Sequence, residues 1–127
     1  MSVLAPLVGL EVQQVWVWWS LRLVFDIGKP GGGTYVDVTH FEFVDPAGLA
    51  HQVNVEKDPV GAGRVLAVLH HRVTAATAVG WELNLTFDNG ARLVCAPEAK
   101  YEAWAALIPG RASLFCPPGG DPTYPGD

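Results

Sequence analysis

The chain lines up with itself. Displacing the sequence by 62 positions sets Trp19 on Trp81, Leu21 on Leu83, Leu23 on Leu85, Phe25 on Phe87 and Asp26 on Asp88. In both copies apolar side chains recur at every second position, the period at which a β-strand presents one face. Val15, Val17, Trp19, Leu21, Leu23 and Phe25 share a face, with Trp16, Trp18, Ser20, Arg22 and Val24 on the other, which predicts one strand over residues 15–25. Residues 77–87 read as a second such strand. The Gly/Pro cluster at 26–33 stops the first, and Asp88-Asn89-Gly90 stops the second with a strong hairpin-turn signal. Two hairpin units follow, at approximately 10–45 and 72–107. A lone hairpin with one apolar face is at best marginally stable in water, so the units are expected to pack face to face around the aligned Trp, Leu and Phe positions. Two hairpins can also resemble one another by chance. Alternation alone places Trp19, Trp81 and their apolar neighbours inside in either case.

The intervening segments fill in a mainly β or α+β fold, a small sandwich or strongly twisted sheet formed as a single domain over 1–127. Residues 34–43 alternate up to Asp45-Pro46-Ala47-Gly48, and 52–56 is a short strand candidate. Between 58 and 72 the period lengthens. Val65, Leu66, Val68 and Leu69 recur at helical spacing, with Asp58 as N-cap and Pro59 in the first turn, which predicts one helix near 60–71. Residues 91–96 return as a strand, 101–107 read as strand or Ala-rich helical turn, and 112–116 are short and extended. The tail at 117–127 carries too many breakers for regular structure.

Composition narrows the function classes. A chain of 127 residues, half apolar, 17% charged and with net charge −5, is neither a disordered acidic tail nor a basic nucleic-acid-binding domain. The longest apolar run, at 15–19, is far short of the ~20 residues of a membrane-spanning helix. The N-terminus lacks a basic leader, so a cytoplasmic protein is expected. Scarce Lys and Ile beside abundant Ala, Val, Gly and Arg suit a bacterial GC-rich coding bias. Cys95 and Cys116 are the only thiols and lack CxxC spacing; whether they pair is open.

No catalytic constellation emerges. His70 and His71 are adjacent, so they point apart on a helix or strand and cannot easily chelate one ion, even with His40 and His51 as companions. Partnership with the end of the predicted helix is the plainer role. Ser2, Ser20 and Ser113 lie in no GxSxG setting, and Gly31-Gly32-Gly33 lacks the spacing and context of a phosphate loop. Glu98 and Glu102 read as solvated carboxylates. No catalytic, metal or cofactor-binding residue is assigned, and a non-enzymatic role is expected.

Five tryptophans remain the unusual feature. Trp19 and Trp81 are an aligned pair, expected in the core, but Trp16 and Trp18 fall opposite Ala78 and Gly80 and have no counterpart. They either lie under the helix or tail as a second small core, or form a partner surface. The stretch from Gly80 through Trp81 to Gly90, then Tyr101-Glu102-Ala103-Trp104, then Pro118-Gly119-Gly120, resembles a family of small uncharacterised, chiefly actinobacterial proteins known only as a domain of unknown function. The resemblance implies a compact β-rich domain and no transferable activity. Trp16, Trp18, Tyr101, Glu102 and Trp104 are the candidate partner-binding residues. The leading expectation is a protein-binding module, such as an immunity-type protein neutralising a toxin partner. The alternatives are a homodimerising domain joined through the Trp16/Trp18 face, and a small-ligand binder or enzyme with a pocket at Trp81, Tyr101, Trp104 and Glu102. Nucleic acid and membrane are not expected partners.

Overall fold

Every segment that reads as one long strand proves to be two. In the computed structural model, which describes residues 3–26, 33–109 and 114–120, the predicted strand at 15–25 is a hairpin: β1 (Val12–Val17) turns through Trp18, Trp19 and Ser20 into β2 (Leu21–Phe25). The predicted strand at 77–87 is likewise β6 (Val73–Val79), a tight turn at Gly80-Trp81, and β7 (Glu82–Phe87). The run from 34 to 43 divides at Thr39 into β3 (Thr34–Val38) and β4 (His40–Val44). Period alone cannot see these breaks, because both arms of each hairpin keep the alternation. The breaks fall at Trp18-Trp19-Ser20, Gly80-Trp81 and Thr39, none of them a Gly/Pro cluster.

The remaining strands are β5 (Ala50–Asn54), β8 (Arg92–Cys95), β9 (Trp104–Leu107) and β10 (Leu114–Phe115). They form two antiparallel five-stranded sheets, ordered β1-β2-β3-β9-β10 and β5-β4-β8-β7-β6. The open choice at 101–107 resolves to strand. Gly31, Gly32, residues 110–113 and residues 121–127 of the predicted tail lie outside the described residues.

The helix expected near 60–71 is shorter. One α-helical turn, α1 (Pro59–Ala62), runs into 3-10 turns over Gly63–Val68. The start is as expected: Asp58 accepts from the Gly61 N–H and Pro59 occupies the first turn. Gly61 and Gly63 are poor helix formers, and no intrahelical pairing carries the α-form to His71.

Taken from its other edge, the second sheet is β6-β7-β8-β4-β5, so strands one to five of each half occupy equivalent places. Each half builds three strands of one sheet and lends its last two to the other. Registers agree: Leu23 faces Val36, as Leu85 faces Leu93, and Val36 faces Ala106, as Leu93 faces Phe43. Bulges fall at Val12/Gln14 and at Val73/Ala75. At the centre Glu11 and Arg72 form an isolated antiparallel bridge. Around it the Val12 N–H donates to the His71 carbonyl as that of Val73 does to Leu10, and the His70 N–H donates to Val12 as that of Gly9 does to Val73. The hydrogen bonds map onto themselves when residues 61 apart are exchanged, so a local two-fold axis passes between Glu11 and Arg72.

The core between the sheets is drawn from both halves. Leu21, Leu23 and Phe25 are fully buried beside their counterparts Leu83, Leu85 and Phe87. The pair Trp19 and Trp81 divides. Trp81 is buried, with its ring centroid 5.9 Å from that of Trp104, whose indole Nε1–H donates to the Trp81 carbonyl at 2.8 Å. Trp19, expected in the core, is 74% exposed. The cause is the turn. Gly80 and Trp81 both hold positive φ, 57° and 64°, forming a two-residue reversal between the paired Val79 and Glu82. The first hairpin is one residue shorter between its equivalent positions, Val17 and Leu21, and closes through three unpaired residues instead. Its central indole projects outward.

Replacing Trp104 by Ala should therefore cost about 3–5 kcal/mol in urea unfolding, as expected for deleting a buried aromatic. Trp19→Ala should stay within roughly 0.5 kcal/mol of the parent. Similar losses for both would contradict the assignment of Trp104 to the core and Trp19 to the surface.

Candidate functional site

The register defines one outward-facing row across the middle of each sheet. In the first sheet the row is Trp16, Arg22, Asp37, Ala105 and Phe115. The equivalent row of the second is Thr77, Asn84, Val94, Glu42 and Gln52. The second row is what an antiparallel sheet normally turns to water: mostly polar, with Gln52 donating to Glu42 and Asn84 to Glu82. The first ends in exposed aromatics on both sides. One backbone plan thus carries two outer faces of different chemistry.

Arg22 organises the aromatic side. Its guanidinium bonds both Asp37 oxygens, Nε to Oδ1 at 2.7 Å and Nη2 to Oδ2 at 2.8 Å, across the β2–β3 pair. The same group lies 3.6 Å from the Tyr35 ring centroid, 5.1 Å from that of Trp18 and 5.6 Å from that of Trp16. Planar delocalised charge suits both the carboxylate fork and the ring faces, which an ammonium would satisfy less well. The Asp37 hydrogen bond, outweighing partial burial, pushes the Arg22 pKa up. Trp16 Nε1–H donates to Gln14 at 2.7 Å. Trp16 and Trp18 are thus held by partners on their own sheet while 45% and 42% exposed.

Among the described residues the helical segment does not cover these indoles with a second small core, and residues 121–127 of the tail lie outside the described residues. Among the other sequence candidates, Tyr101 and Glu102 are exposed in the connection between β8 and β9, whereas Trp104 is 1% exposed. Trp81 and Trp104 fill each other's space. A small groove of about 180 Å³ beside Glu102 is lined also by Ser20, Asp37, Thr39 and Trp104. Its structural equivalent on the second sheet is a wider groove of about 360 Å³ with Glu42, Glu82 and Glu98 at its walls and His40 Nδ1 3.7 Å from Glu98. Among the described residues no three His, Cys, Asp or Glu side chains gather as a metal set, and no helix is long and apolar enough to cross a membrane.

The thiols are free, buried and unactivated. Burial pushes Cys95 up to about 12 and Cys116 upward too, the direction that suppresses the thiolate. His71 lies 2.7 Å from Asp88, and His51 3.0 Å from Asp45. The hydrogen bond to each histidine lowers the carboxyl's pKa, with backbone N–H groups adding to it. Arg22, Tyr35 and Asp37 were not among the sequence candidates. Their signal was the lone cation in the alternating run at 15–25, on the face of Trp16 and Trp18.

This arrangement can hold a rigid aromatic surface, and it contains no nucleophile with an adjacent base. The chain matches the family of unknown function DUF6188 over residues 3–124. It belongs to the DUF6188 family. The match takes in both halves, so the family unit is the interleaved pair of sheets rather than a single hairpin unit. Comparison with curated proteins and with solved structures gives no match.

Two measurements check the electrostatics. A double-mutant cycle with Arg22→Met and Asp37→Asn should give a coupling of roughly 1–2 kcal/mol, as for a charge-assisted bidentate pair that is only partly buried. Coupling near zero would mean that the aromatic rings alone hold the guanidinium. Asp45 and Asp88 have depressed carboxyl pKa values in the fold, so their contribution is complete above the ordinary Asp value, about 3.9, and disappears as pH falls through the lowered one. The melting temperature should therefore drop below about pH 4, and Asp88→Asn should flatten that drop.

Proposed function

We propose that this protein is a non-enzymatic protein-binding module, acting through the outer face of the sheet β1-β2-β3-β9-β10. The observation that carries the reading is the contrast between the two equivalent rows. Where one is polar, the other displays Trp16, Trp18 and, at the hairpin tip, Trp19. We read the halves as a duplicated unit in which one outer face has diverged. Aromatics held rigid before contact lose little conformational freedom on binding, which makes them effective anchors. At their exposures the three indoles present on the order of 400 Å² of apolar surface, in the range where a patch on a monomer signals interaction.

The finer form of this proposal is an immunity-type protein of the bacterial cytoplasm that neutralises a toxin. Small size, net charge −5 and two free thiols support it. Charge of that sign would speed the approach of a basic partner, while the aromatic face would set the residence time.

Affinity capture from the source cell, using the parent and Trp16→Ser/Trp18→Ser as baits, tests the reading. A stoichiometric protein should be recovered by the parent and lost with the variant, whose fold is checked by circular dichroism. A partner retained equally by both would place the binding surface elsewhere, and no partner with either would remove the module reading.

A further inference from the structure

We infer that one occupant of the aromatic face is a second copy of this chain, joined about a two-fold axis. The inference rests on the reading of this face as a protein-binding surface and names its partner.

Charge is the first argument. The chain carries −5 overall, yet the centre of the face is locally neutral, because Asp37 closes on Arg22, and Glu102 stands at its rim. The groove holding Glu42, Glu82 and Glu98 lies on the other sheet. Two equally acidic molecules can meet where no net charge is opposed to its like, and this face permits that.

The sheet edge is the second argument. Of the four edge strands, β10 has two described residues, β5 carries His51, Gln52 and Asn54, and β6 packs on the 3-10 turn at Ala5–Leu7 as β1 packs on those at Gly63–Val68. β1 differs in carrying an exposed indole. Its Val12 end is taken up by residues 70–71, but Val15, Trp16 and Val17 continue with no charge and no proline, and Val17 and Trp16 are exposed. Edges of this kind are ordinarily blocked or covered. Among the described residues this open stretch of edge is continuous with Trp16, Trp18 and Trp19, so one contact would cover both.

Area sets the strength. Two faces of on the order of 400 Å² each bury about 800 Å² from the indoles alone, and the rim of the face and the β1 edge bring the total near the ~1,000 Å² lower bound of specific interfaces. An interface at that lower bound exchanges with monomer, so association is to be sought across the micromolar range.

Sedimentation of the full chain from low to high micromolar concentration tests this. The mass should rise from 13.6 kDa toward twice that value, with a blue shift of tryptophan emission. Trp19→Asp sets two carboxylates against each other near the axis and should weaken association at least about tenfold. Because Trp19 lies outside the core, that variant should keep the parent's circular dichroism. Trp16→Ser should weaken association independently. A parent that stays monomeric throughout, or a dimer unmoved by both substitutions, overturns the inference. So does a monomer whose emission shifts instead on phosphatidylcholine vesicles. A monomeric parent that captures a foreign protein through Trp16 and Trp18 would refute the second copy alone and leave the module reading intact.

Discussion

Four main-chain hydrogen bonds around the Glu11–Arg72 bridge fix the relation of the two halves. Neither half has a complete sheet of its own: β4 and β5 extend the second sheet, and β9 and β10 extend the first. This exchange means that each hairpin's apolar side is closed by strands from the other half. The first half depends on the second for its β3 neighbour, as β8 depends on β4. The chain crosses between sheets at Thr39, whose N–H and hydroxyl both bond the Ala103 carbonyl. The crossing keeps its polar groups satisfied while the buried phase shifts from Val36 and Val38 to Phe41 and Phe43.

Much of this was legible in the residues, for identifiable reasons. Period-two alternation placed Leu21, Leu23, Phe25, Leu83, Leu85 and Phe87 in the core, since a buried face must repeat at the strand period. The self-alignment found the related hairpins, and Asp88-Asn89-Gly90 marked the β7–β8 reversal, where Gly90 has φ 88°. What escaped was where strands turn without a Gly/Pro cluster. Reading 15–25 and 77–87 as single strands put Trp19 inside, because the side chain's direction depends on a turn length that alternation does not encode. The helix was overlong because Val65 and Val68 are both buried in a 3-10 arrangement too, where residues three apart share a face.

The aromatic face was half legible. Trp16 and Trp18 were singled out because nothing in the second copy matched them. Trp104 belonged instead to the interior, where its indole N–H has a backbone partner. Arg22 was hidden because a lone cation in a strand is usually solvated. Its meaning depends on Asp37, directly opposite on the neighbouring strand, a tertiary relation with no sequence spacing of its own.

The three-residue connection at Trp18, Trp19 and Ser20 also bears on how such a surface can arise. A difference of one codon between otherwise equivalent hairpins separates an indole that seals the interior from one that meets solvent. Turning that one indole outward then requires no rebuilt scaffold, only a change of length at a loop where the paired strands on either side are already secure. Among relatives, the length of this connection is consequently the character to compare before the identity of the tryptophans themselves.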